Sequence, residues 1–458
     1  MKNFWTIIFA ATLLTGCATY HSQPISPEKT ANVFDARSLG NADLKTFLET
    51  NHVAVGIWNL NALTLVAFYY QPALVEARAQ FAVAQAAEIT AGERPNPTVG
   101  FSPTYDTTTT PPWILGLTWD IPIETAGKRG KRIAQAEHLS EAAKWNFISS
   151  AWQARSHVRA AMLNLYVAHE TESLLAQQET AQSNVVRLLE GQLSVGAISS
   201  FEMTQARVAL ETTQLSRQDA IGQLNHARVQ LAGALGLPLA ALDGIEFSFE
   251  GLNEFPKELI APEIRRVAIL NRADVRGALA EYAASQSALQ LEIAKQYPDV
   301  HLNPGYELDQ TDNKWSLGLT VDLPILNQNQ GPIAEAKAKR AEAAAHFLMV
   351  QATAISEIDG ALADYDAALN KSATAKHLLD DLQKQLKSVR AQAQLGEVDA
   401  LTLANAEAEY ATGAQNQLDA LVKAQTALGQ LEDAVQSPLT LSQDAIRAAQ
   451  NHSSEIFK

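Results

Sequence analysis

Residues 114–123 read ILGLTWDIPI, and residues 316–325 read SLGLTVDLPI. A chain that writes one strand twice is built twice from one plan, and a repeated unit buries its apolar face against its twin or a further copy. A second match stands at nearly the same offset, VGAISSFEMTQARVALE (195–211) against LGEVDALTLANAEAEYA (395–411). It aligns Gly196 with Gly396, Ile198 with Val398, Phe201 with Leu401 and Ala206 with Ala406. The two repeats then cover roughly 60–236 and 262–436, with strands at about 97–123 and 298–325. A Pro- and Gly-containing link over 237–261 joins them, and a tail occupies 437–458.

Each repeat reads helix, two strands, long helix, tight turn, helix. The long helices, about 131–192 and 332–393, are rich in Ala, Gln and Leu, with no proline after Pro332. At 1.5 Å per residue each reaches on the order of 90 Å, too long for an ordinary globular core, so coiled-coil packing is expected. The helices that follow carry its register. Met203, Ala206, Leu210, Thr213, Arg217, Ala220, Leu224, Ala227 and Leu231 step by three and four. Leu403, Ala406, Tyr410, Gly413, Gln417, Ala420, Ala424, Ala427 and Leu431 repeat the steps. So many small residues in a seam imply close antiparallel packing. Between the helices, Gly196 and Gly396 suit the left-handed conformation that ends a helix. Ser199 then opens a capping box with Glu202, and Asp399 takes the same cap position in the second repeat.

The strands alternate strictly. Trp113, Leu115, Leu117, Trp119, Ile121 and Ile123 interleave with Ile114, Gly116, Thr118, Asp120 and Pro122. Trp315, Leu317, Leu319, Val321, Leu323 and Ile325 interleave with Ser316, Gly318, Thr320, Asp322 and Pro324. Partner strands place Val99, Phe101, Pro103 and Tyr105, and Val300, Leu302, Pro304, Tyr306 and Leu308, on one face. Because the helices are committed to their own seams, this apolar face matches the lipid face of transmembrane barrel strands. Four strands cannot close a barrel, and open edges are not tolerated in hydrocarbon. Several chains must therefore share one wall: eight strands pack shut, whereas twelve leave a pore. The fold class expected is mostly α with a transmembrane β-barrel.

At the N-terminus, Lys2 precedes an apolar run from Phe4 to Leu14 and then Leu14-Thr15-Gly16-Cys17. This describes a secretory signal over residues 1–16, too short for a spanning helix. Cys17 is the sole cysteine, which excludes an internal disulfide or a cysteine-based metal site. The Leu-Thr-Gly-Cys ending resembles the lipobox of bacterial lipoproteins. That resemblance implies an acylated Cys17, a lipidated segment over 17–59, and sorting to the outer membrane by the non-acidic Ala18.

The formal charge of −15 argues against nucleic acid as a partner. His169, Glu170 and Glu172 sit close together, but no second ligand pair at metal-site spacing accompanies them. There is no Ser/His/Asp grouping or Gly-rich nucleotide loop, and GKRGKR lacks the spacing of a P-loop. No enzyme activity, cofactor or metal centre is expected.

Taken together, the duplicated plan, the strands ending in Asp-Ile-Pro-Ile and Asp-Leu-Pro-Ile, and the tips VGAISSFEMTQA and LGEVDALTLANA resemble the TolC-type outer-membrane efflux family. The likeness covers nearly the whole mature chain. IETAGKRGKRIAQAE (123–137) is similar to the strand-to-helix junction of the heavy-metal-exporting branch, although Lys128, Arg129, Lys131 and Arg132 by themselves read as a solvated periplasmic junction. The resemblance implies a homotrimer with a twelve-stranded barrel in outer-membrane lipid and a long α-barrel through the periplasm. It implies a passive conduit for metal cations or small toxic compounds, driven by an inner-membrane pump through a periplasmic adaptor. Gly196, Ile198, Ser199, Gly396, Val398 and Asp399 would then form the adaptor-docking tips. Family members often narrow the periplasmic tip with acidic residues just after the second turn. Here the candidate aperture positions carry Thr402 and Asn405, leaving Glu397, Asp399, Glu407 or Glu409 as substitutes. An acidic lumen would favour cations by raising their local concentration. Two other readings are a periplasmic adaptor, which needs a compact β-rich domain beside its hairpin, and a structural lipoprotein without transport.

Overall fold

The computed structural model describes residues 18–53, 56–256 and 261–439. Cys17, the leader and the tail from residue 440 lie outside the described residues. Two short helices, α1 (Pro27–Asp35) and α2 (Ala42–Thr50), come first. The first repeat then runs α3 (Leu60–Tyr70), α4 (Pro72–Gly92), β1 (Thr98–Tyr105), β2 (Trp113–Ile123), α5 (Lys128–Ser194) and α6 (Ser200–Leu235). The second runs α7 (Ala261–Asn271), α8 (Ala273–Ala294), β3 (Val300–Asp309), β4 (Asp312–Val321), α9 (Gln330–Leu395) and α10 (Ala400–Val435).

Helices α5 and α9 have 67 and 66 residues, or about 100 Å each. They start a few residues earlier than the sequence pattern implies. Gly127 and Asn329, both left-handed, turn the chain sharply into each helix. The heptad seams form as expected: Met203, Thr213, Ala220, Ala227 and Leu231 of α6 are buried, and α6 packs on α5. In the second repeat Ala406, Ala420, Ala424, Ala427 and Leu431 are buried, and α10 packs on α9. Gly413 shows how close that seam is, since a Cβ there would overlap the Leu382 side chain.

The two repeats are not equally enclosed. Helix α8 packs on both α5 and α9, and α10 packs on both α9 and α5. Their counterparts in the first repeat, α4 and α6, pack on α5 but not on α9. The largest apolar core joins Leu63, Val66 and Ala67 of α3 to Val158 and Met162 of α5 and Leu231 and Leu235 of α6. The segment after α6 folds onto this core through Leu237 and Leu242, and Phe247 forms an isolated bridge with Trp58. Arg37 ties the N-terminal segment down by donating to the carbonyls of Tyr70 (3.0 Å) and Gly236 (2.8 Å).

The four strands form one antiparallel sheet in the order β1-β2-β3-β4. Its register puts the apolar residues of all four strands on one face: Phe101 opposite Leu117, Leu117 opposite Tyr306, and Tyr306 opposite Trp315. That face is bare, with Trp315 78% and Leu317 74% exposed. Tyr105 stacks edge-on against Trp113 at one hairpin end, and Tyr306 meets Trp315 at the repeat-equivalent place, with ring centroids 5.0 and 4.7 Å apart. Such aromatic pairs suit a membrane–water boundary, where one end of the ring is apolar and the other wet.

The opposite face is polar and crowded. His301 Nδ1 lies 2.8 Å from Asp120 Oδ1, and Thr320 donates to Asn303 at 2.9 Å. Glycine relieves the crowding here. A Cβ at Gly100, Gly116 or Gly305 would stand 2.8, 2.7 or 2.6 Å from the hydroxyl of Thr118, Ser102 or Ser316 across the ladder. A face with few side chains leaves room for a sheet to curl toward it.

One expectation is corrected. The repeated Asp-Leu-Pro-Ile does not extend the last strand: β4 stops at Val321, whereas β2 continues through Pro122 to Ile123. Pro122 and Ile123 still have partners in His301 and Val300 of β3. The β3–β4 ladder ends at Val300 opposite Val321, and Leu323 and Ile325 have no ladder partner among the described residues. They are exposed, as is Leu326.

The basic junction is also not solvated as its composition suggests. Lys128 is buried and meets Asp299 at 2.8 Å. Arg129 donates to Gly92 O at 2.6 Å, and Arg132 donates to Ala91 O and Glu93 O, both at 3.1 Å, while pairing with Glu124. These cations satisfy carbonyls left open at the C-terminus of α4, where positive charge is favoured. Lys131 donates to Gln290 of α8. Asp299 and Glu124 neutralise Lys128 and Arg132, and the whole patch is engaged in fastening the start of α5 to its neighbours.

Partial burial works against ionisation of Asp299, but the Lys128 ammonium and the Thr125 N–H outweigh it and hold the carboxyl below the usual aspartate range. A depressed folded-state pKa gives stability that is present above the unfolded value, about 3.9, and lost as pH falls through the folded one. Thermal unfolding of the detergent-solubilised protein between pH 6 and pH 3 should show this acid loss. Asp299→Asn should be less stable at pH 6 and show a smaller loss on acidification.

Candidate functional site

The two hairpin tips, farthest from the sheet along α5 and α9, are built alike. At the first, the Ala197 N–H donates to Gln192 O (2.9 Å) and the Gly196 N–H to Leu193 O (3.0 Å). At the second, the Glu397 N–H donates to Gln392 O (2.9 Å) and the Gly396 N–H to Ala393 O (3.1 Å). This paired pattern closes a helix through a left-handed residue, and Gly196 and Gly396 have φ of 74° and 75°. A Cβ at either glycine would meet no atom within 4 Å, so only the backbone conformation demands glycine.

The caps differ in strength. Ser199 accepts from the Glu202 N–H at 3.3 Å while its own N–H donates to Glu202 Oε2 at 2.7 Å, completing the capping box. Asp399 accepts from the Thr402 N–H at 2.8 Å, a cap without the return bond that Glu202 makes at the first tip. Hydrogen bonds to Ser199 lower the pKa of the Glu202 carboxyl, and bonds with Thr402 lower that of Asp399.

Ile198 packs against a small buried cluster of Val185, Val186, Leu189 and Met203, which Ala404 of the second hairpin also touches. It therefore anchors the first tip from inside, and Val398 is likewise half-buried. Thr402 and Asn405 are exposed on the first turns of α10. Of the four acids that might replace an acidic ring, Asp399 is occupied as a cap, Glu407 pairs with Arg390 at 3.0 Å, and Glu409 accepts from Gln385 at 3.0 Å. Glu397 is exposed in the turn itself. The first repeat carries the Glu407–Arg390 pair with its charges exchanged, as Arg207 to Glu190 at 2.9 Å. Each hairpin thus neutralises these charges internally.

The sequence reading did not single out the apolar residues flanking each turn. Val195 and Phe201 are 78% and 69% exposed, and Leu395 and Leu401 are 75% and 50% exposed. The signal was present, because both pairs occupy aligned positions in the repeat. Both tips thus carry exposed apolar groups at matching places.

Among the described residues no group of three or more His, Cys, Asp or Glu could hold a metal ion, and no helix is long and apolar enough to cross a membrane. The latter says nothing of strands.

Comparison with known proteins adds three findings. The family model described as "Outer membrane efflux protein" matches residues 69–237 and 264–435, one segment in each repeat. The cobalt-zinc-cadmium resistance protein CzcC of Cupriavidus metallidurans is 27% identical over 214 residues, 46% of this chain and 50% of that protein. The chain thus aligns with about half the length of this curated relative. Among solved structures, the outer membrane protein VceC of Vibrio cholerae superposes with a TM-score of 0.68 at 18% identity, covering 83% of this chain and 96% of VceC. CusC, a transmembrane channel former, gives 0.67 at 18% identity, covering 91% and 99%. These likenesses show a shared fold.

The capping box is testable alone. Ser199→Ala should cost about 1 kcal/mol of helix stability, seen as faster hydrogen exchange in residues 200–206 with no change at the second tip.

Proposed function

Because the chain belongs to the outer membrane efflux protein family, we propose that it forms the outer-membrane channel of a tripartite efflux system. It is a homotrimeric conduit, with energy supplied by an inner-membrane pump through a periplasmic adaptor. One observation carries this reading. A four-stranded sheet presents one continuous apolar face and leaves both its edge strands, β1 and β4, unpaired. Hydrocarbon accepts the face but not the edges. A closed ring of such sheets resolves the conflict, and three chains give twelve strands around a pore lined by the polar face.

The helices support the same arrangement. Since α4 and α6 lack the second neighbour that α8 and α10 possess, they accept α9 of a neighbouring chain, and head-to-tail contacts of this kind close into a ring. The cargo we assign is divalent metal cations, on the strength of CzcC's described role in cobalt, zinc and cadmium resistance and of the chain's net charge of −15. Docking of the adaptor is assigned to the tips, with Val195, Phe201, Leu395 and Leu401 as the apolar contacts and Gly196, Ile198, Ser199, Gly396, Val398 and Asp399 holding the turns. Thr402 and Asn405 border the periplasmic aperture. Cys17 anchors the chain to the outer membrane through its acyl groups after removal of residues 1–16.

Reconstitution into planar bilayers should give discrete ion conductance, and its absence from correctly assembled protein would overturn the channel reading. Gly396→Val forces a β-branched residue into the left-handed region at a cost of about 1–2 kcal/mol. The expected outcome is normal trimer abundance with defective metal efflux and weakened adaptor crosslinking. Unchanged efflux per trimer would refute the docking role. Mass spectrometry should find Cys17 acylated at the N-terminus of the mature protein, and Cys17→Ala should weaken anchoring while the strands still insert.

A further inference from the structure

Among the described residues, the polar face of the sheet carries a single imidazole, that of His301. Its Nδ1 lies 2.8 Å from Asp120 Oδ1, and the same oxygen accepts from Asn303 Nδ2 at 3.3 Å. Asn303 Oδ1 accepts in turn from Thr320 at 2.9 Å. This chain of bonds runs from β4 through β3 to β2 and returns to the ring. A carboxylate only accepts, so Nδ1 carries the proton that faces it, and Nε2 of the neutral ring keeps its lone pair. Nothing among the described residues bonds to Nε2. The side chain is 35% exposed, so the polar face leaves it within reach of a solute.

The duplication shows that this ring is an addition to the common plan. The pairs Tyr105–Trp113 and Tyr306–Trp315 fix the alignment, with an offset of 201 along the first strand of each hairpin and 202 along the second. Asp120 then corresponds to Asp322, and Asn303 to Ser102, so those places are polar in both repeats. His301 corresponds to Gly100, which stands opposite Thr118 as His301 stands opposite Thr320. Where the first repeat removes the side chain, the second places an imidazole that reaches across to a carboxylate. The pair sits at the end of the sheet joined to the long helices, since β3 begins at Val300 and β2 ends at Ile123, just before α5 opens at Lys128.

We propose that His301 Nε2 is a transient ligand for divalent cations of the zinc type as they pass from the helical tube into the barrel, with Asp120 holding the ring in place. The proposal rests on the channel and cargo reading above. A carboxylate on the far nitrogen of a metal-binding histidine fixes its tautomer and orientation and raises its basicity. Imidazole suits zinc and nickel, whereas magnesium and calcium prefer oxygen ligands and keep their water. The negative charge of the chain draws every cation alike, but the imidazole distinguishes them by kind. Among the described residues no group of three or more His, Cys, Asp or Glu assembles around a metal. One nitrogen therefore holds a hydrated ion weakly. That suits a conduit, in which a bound ion must also leave.

The test uses the full-length protein in planar bilayers carrying potassium current, with Zn²⁺ alone as the probe and Mg²⁺ at equal concentration as the reference. Each variant is its own control, because both ions are applied to the same channels. Zn²⁺ should reduce the current at concentrations where Mg²⁺ does not. His301→Ala should raise the half-effective Zn²⁺ concentration about tenfold or more, and His301→Gln, which keeps a polar side chain in the sheet, should do the same. Asp120→Asn removes the charge behind the ring and should weaken the Zn²⁺ effect by about tenfold. Zn²⁺ and Mg²⁺ acting alike on the unaltered protein, or undiminished Zn²⁺ sensitivity in both His301 variants, would overturn the site and leave the channel reading intact. Undiminished sensitivity in Asp120→Asn would refute the part given to the carboxylate. Assembled protein that carries no current at all would overturn the channel reading and the site with it.

Discussion

A backbone N–H or C=O that faces hydrocarbon has no water to bond, and each such group costs several kcal/mol. The sheet of this protein has one face suited to lipid and two edge strands that are not. Much else in the structure follows from that conflict. The polar face, which lacks side chains at Gly100, Gly116 and Gly305, has the room a closing wall needs on its inner side. The cations of the GKRGKR segment fasten the start of α5 to the end of α4 and to Asp299 at the foot of β3, so the sheet is tied to the long hairpins.

The hairpins meet a different demand. Helices of about 100 Å cannot rely on one compact core, and their stability is spread along seams of small residues. Such seams are tolerant of register error unless something polar interrupts them. The buried network of Arg155, Arg159, Gln425 and Glu432 is that interruption. Burial pushes the Arg159 pKa down and Glu432 opposes the shift. An arrangement of this sort is weak evidence for added stability, because desolvation offsets much of the attraction. It holds α5 against α10 through contacts that only this register provides, Arg159 on Gln425 and beside Gly429. The charge-exchanged pairs Arg207–Glu190 and Glu407–Arg390 do similar work near the tips at lower stakes, since they are more exposed.

The proposed conduit makes demands of shape. Its function depends on rigid geometry: a wall that closes, a tube that keeps its register, and tips stiff enough to be recognised. The tips are accordingly the most locally determined part of the molecule. Glycines in the left-handed region, a capping box at Ser199 and a carboxylate cap at Asp399 fix both turns with hydrogen bonds made within a few residues.

Local rules explain what could be read directly from the sequence. Strand alternation, heptad spacing, the glycine turns and the caps depend on neighbours no more than a few positions away, and Ser199, Glu202, Gly196 and Gly396 all took the roles their types and spacing imply. The duplication itself was visible because both repeats obey one plan. What required the tertiary structure was every property set by a distant partner. Strand β4 stops at Val321 because the ladder with β3 ends there, although its sequence continues as strand-like as that of β2. Lys128 is buried because Asp299 comes to it from 171 positions away, and Glu407 is neutralised because Arg390 faces it across the hairpin. Gly429 looks like any helical glycine until Arg159 is seen beside it. The sequence by itself determined which elements form and which faces are apolar, since those follow from periodicity. Only the folded chain decided which charges are spent and which seams stay open, since those depend on what long-range packing brings together.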